Sequence, residues 1–330
     1  MRGQHAACSW GPRPGRAPLA ACSGMATSGR PRRDGLELLR AAAQLWDAAD
    51  HDIGYLARLF TQTSLPYRDP GDVPSWGRRN GDLSLTVQPG IVTEADGTAR
   101  SIGYPFGTVP RLLLTWLSTE AVRTKSRDLV LGDSLSDFMR QLGMQPTGGK
   151  HGTIHRLRTQ AERLFQASLS VRWENEQGSG GGRMGVASTY QLWKANDDPN
   201  QASLFPSVVR LSGDFFDEVT QHPVPLDLGA LRALRGSPLR LDIYCWLTYR
   251  MSYLGRRTEI PWLSLRAQFG SNLADTKQGR ARFRLEFERH LREVLVVYRD
   301  ANVEVSTGGI VLLPSPTHVA PALSRGRVKS

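Results

Sequence analysis

An α+β fold carrying an internally repeated unit is predicted by three features of the sequence. Apolar residues at helical spacing are interrupted by short β-branched runs. Glycines and prolines punctuate the segments where they would start and stop. One succession of segments, with a tryptophan and a glycine at corresponding places, occurs twice.

The first occurrence starts with a helix over 109–123, which carries Leu112, Leu113, Trp116 and Leu117. Pro110 suits its first turn, where a missing N–H costs nothing. Residues 128–131 form a short strand. Asp133 or Ser134 caps a second helix holding Leu135, Phe138, Met139 and Leu142, and Gly143 ends it. A third helix over 153–165 places Ile154, Leu157, Ala161, Leu164 and Phe165 on one stripe. Leu169 and Val171 begin a strand, a Gly-rich turn spans 178–185, and Tyr190, Leu192 and Trp193 return.

The second occurrence opens with a helix over 239–254 containing Ile243, Trp246, Leu247 and Met251. A strand over 258–260 follows. Pro261 then opens a helix with Trp262, Leu265 and Phe269, which Gly270 closes. A basic helix over 277–294 buries Phe283, Phe287, Leu291 and Val294. Leu295, Val297, Val303 and Val305 supply strands, Gly308 and Gly309 a turn, and Val311 and Leu313 the return. Helix, strand, helix, helix and hairpin is the order of a winged helix-turn-helix. The expected architecture is therefore two tandem winged helix-turn-helix domains, at 83–200 and 201–316.

Around them, 1–34 reads as a disordered basic tail, with Met25 a second candidate start. Residues 35–82 read as a helical extension and loop. Its helix runs over 35–60, with Leu36, Leu39, Ala43 and Trp46 as the buried stripe and Ile53, Leu56 and Phe60 continuing it. A Pro/Gly loop over 66–79 follows. Leu83, Leu85 and Val87 alternate as a strand, Asp96 and Gly97 mark a turn, and 317–330 is a basic C-terminal tail.

Lys and Arg number 42 against 31 acidic residues among 330, a formal charge of +11 with a sequence pI of about 10.0. Such a surplus points to a polyanionic partner, because each cation placed on a phosphate releases a counterion. Cys8, Cys22 and Cys245 are too scattered for a disulfide framework or a zinc site, which suits a reducing cytoplasm. No apolar run reaches membrane-spanning length, so no membrane partner is expected.

In a helix-turn-helix the third helix enters the major groove. On the first such helix and its approach, the apolar stripe leaves Lys150, Gly152, His155, Arg156, Thr159 and Arg163 facing outward. Gly152 would let a bare backbone approach a phosphate. On the second, Lys277, Gln278, Arg282, Arg289 and Arg292 face out, as does Leu285, placed to touch a thymine methyl or a neighbouring element. Taken singly, each basic stripe is what any solvated helix side shows. Their recurrence on the same element of a repeated unit favours DNA. Arg183 and Lys194 on the wing, and the loop residues Arg123, Lys125, Arg256 and Arg257, would hold phosphates and set register rather than sequence choice.

Long strings carry a family resemblance. Tyr104-Pro-Phe-Gly-Thr-Val-Pro-Arg-Leu-Leu-Leu, the stretch from Thr119 to Ser126, Leu241-Asp-Ile-Tyr-Cys-Trp-Leu-Thr-Tyr-Arg-Met-Ser and Leu313-Pro-Ser-Pro closely resemble the RepA family of plasmid replication initiators, over roughly 83–316. The resemblance implies binding to repeated sites in double-stranded plasmid origin DNA, melting of nearby DNA, and recruitment of a host initiator and replicative helicase in a bacterial cytoplasm. The paired architecture further implies homodimers that repress their own promoter and monomers that initiate. A winged-helix transcriptional repressor at an operator is the alternative reading of the same reader helices.

Enzyme motifs fail on inspection. Gly148-Gly149-Lys150 lacks the rest of a P-loop, since Met144 and His151 stand where Gly and Ser or Thr are needed. His151 and His155 have neither the adjacent Glu nor a third ligand of a zinc site. No His-x-His pair occurs, which disfavours metal-dependent strand cleavage. No cofactor, metal or catalytic residue is expected.

Overall fold

The computed structural model describes residues 33–47, 52–132, 135–149, 152–192, 207–270 and 274–319. Most of the tails expected over 1–34 and 317–330 lie outside them, and Arg33 and Asp34, expected in the first tail, begin a helix instead. Before the repeated units come α1 (Arg33–Trp46), β1 (Ile53–Ala57), α2 (Arg58–Gln62), β2 (Trp76–Asn80), β3 (Leu83–Gln88), β4 (Ile91–Thr93) and β5 (Ala99–Ser101). The helix expected over 35–60 therefore stops at Trp46. Ile53–Ala57 is instead a strand, because Gly54 sits where a Cβ would fall 2.3 Å from Leu228 Cδ2, and Tyr55 N donates to Thr119 Oγ1 at 2.8 Å. The buried face of α1 also differs from expectation. Leu38 and Ala42 pack inward, whereas Leu36, Leu39 and Trp46 remain 43–48% exposed. Both stripes are apolar, and packing on neighbouring helices selects one of them.

The first unit comprises α3 (Thr108–Thr124), β6 (Asp128–Val130), α4 (Leu135–Gln141), α5 (Thr153–Gln166), β7 (Ser168–Asn175), β8 (Gly178–Gly185) and β9 (Ala187–Gln191). The glycine run expected as a turn is the strand β8. The turn lies just before it, where Asn175 Oδ1 accepts from Gln177 N and Gly178 N at 3.0 and 3.1 Å. β7 and β8 extend an antiparallel sheet of order β2-β3-β7-β8. Asp133 and Ser134, the expected caps of α4, lie outside the described residues, while Gly143 ends that helix region with φ 68°.

Four elements follow: β10 (Val208–Leu211), α6 (Gly213–Gln221), β11 (Pro223–Asp227) and α7 (Leu228–Leu234). β10 pairs with both β6 and β9, so strand pairing crosses the boundary expected at 200. β11 pairs antiparallel with β1 and ties the N-terminal segment to the body.

The second unit comprises α8 (Pro238–Tyr253), β12 (Thr258–Pro261), α9 (Trp262–Phe269), α10 (Lys277–Val297), β13 (Val303–Val305) and β14 (Gly309–Leu312). Its sheet has the order β12-β14-β13. Leu295 and Val297, expected in a strand, form the last turn of α10, because Val294 and Val297 continue its buried stripe at helical spacing. Trp116 meets Phe138 edge-on at 4.9 Å, and Trp246 meets Phe269 edge-on at 5.5 Å. The two tryptophans thus occupy corresponding places, each packing its scaffold helix on the next helix, although Trp116 is only half-buried. The whole is a mixed α+β structure with small antiparallel sheets, and among the described residues no helix is long and apolar enough to cross a membrane.

The scaffold helices α3 and α8 are joined by a buried ion pair. Arg111 Nε and Nη2 donate to Asp242 Oδ1 and Oδ2 at 2.7 and 2.8 Å. The remaining donors reach Gly107 O at 2.6 Å, Leu65 O at 2.7 Å and Pro66 O at 3.3 Å. All five N–H groups of the guanidinium are thereby satisfied. Removing one partner strands the other charge, so Asp242→Ala should lower unfolding free energy by about 3–5 kcal/mol. The double variant Arg111→Met/Asp242→Leu should cost clearly less. Urea unfolding compares them; equal losses in both would mean that packing volume, not charge pairing, dominates here.

Candidate nucleic-acid interface

The most accessible basic surface at a reader position is on α10. Thr276 caps its start, with Oγ1 accepting from Gly279 N at 3.0 Å. Phe283, Phe287, Leu291 and Val294 are buried, and Phe287 packs tilted against Phe269 at 5.5 Å and edge-on to Trp262 at 6.0 Å. This aromatic cluster fixes the helix's rotation, so the opposite side must face solvent. There Gln278, Arg282, Leu285, Arg289 and Arg292 alternate four and three residues apart, and all are exposed. The stripe is about 21 Å long at 1.5 Å per residue. Lys277 is exposed at its start, and Leu285 is 68% exposed. Arg282 holds Glu286 at 3.0 Å and Arg289 meets His290 Nε2 at 2.9 Å, both contacts that a stronger anion can displace. Arg284 is turned aside onto Glu288 and the Trp262 ring.

The corresponding face of α5 is smaller. His155 and Arg156 are exposed and Thr159 is half-buried. Arg163 does not face outward. Its guanidinium is 3.1 Å from Asp69 Oδ2, 3.3 Å from Tyr104 O and 5.6 Å from the Phe106 ring. Gly152 is also turned inward. A Cβ there would lie 2.2 Å from Thr147 O, because Thr147 and Thr153 exchange backbone-to-hydroxyl bonds at 2.9 and 3.0 Å and cinch the loop. Its missing side chain therefore serves the loop's closure and offers no backbone to a phosphate. Lys150 and Lys194 lie outside the described residues.

Among the expected phosphate contacts, Arg183 is exposed on β8, Lys125 at the left-handed end of α3, and Arg256 and Arg257 between α8 and β12. Arg123 is already engaged, donating to Ile53 O at 2.7 Å with Asp52 and Glu120 each 3.7 Å away. Sequence reasoning passed over Arg68. It sits in a loop with no periodic pattern, yet lines a cleft of about 410 Å³ shared with Arg282 and Arg289.

Residues 104–262 match the family model described as plasmid encoded RepA protein. The match covers just under half of the chain. The matched segment is shorter than the stretch over which the resemblance was expected. It begins at the loop before α3 and ends at the first residue of α9, so α10 lies beyond it. Two solved structures are similar at low identity. One is the crystal structure of RctB domains 2-3, with 15% identity over 77% of this chain and 94% of that chain and a TM-score of 0.42. The other is of selenomethionine derivatives of RctB domain 2 and domain 3, with 13% identity, 74% and 84% coverage and a TM-score of 0.45. No curated protein sequence matches the chain.

The placement of Arg163 has a measurable consequence. Its ion pair is partly exposed and screened, so Arg163→Ala should lower unfolding free energy by about 1 kcal/mol. It should leave duplex affinity unchanged. A gel-shift series showing weakened binding at unaltered urea midpoint would return this residue to the DNA-contacting set.

Proposed function

We propose that this chain initiates plasmid replication by binding repeated origin sites on duplex DNA through two winged helix-turn-helix units. The reading rests above all on the RepA-matched segment spanning both scaffold helices. The exposed stripe of α10 supplies the means. An arginine fork pairs with guanine O6 and N7, and a protruding leucine can contact a thymine methyl. The tandem winged-helix interpretation is supported by the recurring element order and by the β12-β14-β13 sheet beside α8, α9 and α10. In the first unit the hairpin β7–β8 joins β3 and the chain then returns through β9.

The mechanism uses binding energy alone. Arg282, Arg289 and Arg292 read or clamp one site, and His155 and Arg156 engage the neighbouring groove. Arg183, Lys125, Arg256 and Arg257 hold phosphates and set register. Several protomers on adjacent repeats would bend the duplex and load strain onto AT-rich steps, which deform most easily. The opened strand would then be handed to a host initiator and replicative helicase, without ATP hydrolysis or strand cleavage by this protein.

Two outcomes check the reading. Arg282→Ala and Arg289→Ala should each weaken cognate binding by about 1–3 kcal/mol in gel shifts, if each reads a base pair. Full affinity in both variants would remove α10 as the reader. On a supercoiled origin plasmid, permanganate should modify thymines beside the repeats when protein is bound. Tight binding without reactive thymines, even with host initiator added, would indicate an operator-binding repressor, and a nicked product would indicate an enzyme.

A further inference from the structure

The loop between α2 and β2 brings a cation to α10 from outside both repeated units. Its start is clamped by the buried pair. Arg111 donates to Leu65 O and Pro66 O, and Gly107 N donates to Pro66 O at 3.0 Å. The Arg111 guanidinium also lies over the Tyr67 ring at 5.0 Å. With Pro66 and Tyr67 held, Arg68 leaves the surface at a set place. Arg68 is exposed, and among the described residues no carboxylate is paired with it.

Arg68 borders the cleft of about 410 Å³ whose other lining includes Arg282, Arg289 and His290 of α10. Glu286 is the carboxylate in this lining, and it is bonded to Arg282 at 3.0 Å. Three guanidiniums against one carboxylate leave the cleft cationic. The first turn of α8 completes it through Ser237, Pro238 and Leu239. Ser237 makes no side-chain capping bond and Pro238 has no N–H, so the positive end of this 16-residue helix is presented to the same space.

We propose that this cleft holds phosphates of the DNA backbone flanking the α10 stripe, with Arg68 as a contact in its own right. The inference rests on the DNA-binding reading above. An α-helix about 10–12 Å wide fills a major groove about 12 Å wide, so the two phosphate backbones must run along its flanks. The cleft lies along one flank of α10, and Arg282 and Arg289 belong to both the stripe and the cleft. That continuity favours a duplex backbone over a free nucleotide.

The test is a salt series with cognate and scrambled duplexes, using wild type, Arg68→Ala and Arg68→Lys. Arg68→Ala should weaken both duplexes by the same factor and reduce the slope of log affinity against log salt by about 1. Arg68→Lys keeps a point charge and should keep the wild-type slope. Because Arg68 is exposed, the urea midpoint should not move in either variant. Wild-type affinity and slope in Arg68→Ala would overturn the proposal, as would a loss confined to the cognate duplex. Release of the duplex by submillimolar ADP, but not by matched salt, would make the cleft a small-nucleotide site and overturn it too. Should wild type bind neither duplex, the DNA-binding reading itself fails, an outcome distinct from all of these.

Discussion

The bidentate contact between Arg111 and Asp242 is the constraint on which the rest of this structure depends. It joins one scaffold helix to the other across 131 positions of sequence. Burial alone would pull the Arg111 guanidinium down, and the Asp242 carboxylate more than offsets this, holding it above its ordinary value. Taking two charges out of water costs several kcal/mol per ion, so the pair contributes little to net stability compared with an apolar replacement. What it contributes is geometry. A planar fork on two carboxylate oxygens accepts essentially one register of α3 against α8. The same guanidinium also anchors the backbone at Leu65 and Pro66, so a loop remote in sequence is placed by the same contact.

From that joint the two units grow by similar packing. Each scaffold tryptophan meets a phenylalanine of the next helix edge-on, an arrangement that aromatic quadrupoles favour. In the second unit the aromatic cluster extends through Phe269, Phe283 and Phe287 and fixes how α10 is rotated. The exposed stripe of α10 is thus a consequence of core packing, and its orientation follows from residues that never touch a ligand. The first unit diverges where its hairpin is recruited into the four-stranded sheet with β2 and β3, and its third helix carries fewer exposed cations.

Much of this was legible in the sequence, for physical reasons. The helices α3, α4, α5, α8, α9 and α10 announce themselves by apolar spacing, α3 and α9 also by Pro110 and Pro261 at their starts, and α4 and α9 by Gly143 and Gly270 at their ends. The outward set on α10 follows from the same spacing. Misreadings arose where a local pattern fits two structures. Leu36, Leu39 and Trp46 are as helical in spacing as Leu38 and Ala42, and only packing on α7 and α10 decides between them. Ile53 and Leu56 fit a helix or a strand, and Gly54 reveals its role only against Leu228. The run Val294 to Val297 reads equally as strand or helix. β2, β10, α6, β11 and α7 are not among the elements expected from the sequence. Arg163 shows the limit most clearly. Its place on the wheel is outward, but Asp69 arrives from a loop 94 residues away and Tyr104 from another 59 residues away, and no periodicity reports such partners.

If the buried pair truly makes the two units one body, they must open together. Native-state hydrogen exchange reads this directly, because amides in α3 and α8 report the free energy of the opening that exposes them. The account predicts that the slowest amides of both helices exchange through one opening with a common free energy and a common denaturant dependence. A second unit that opens by itself, at a clearly lower free energy and with α3 still protected, would contradict it.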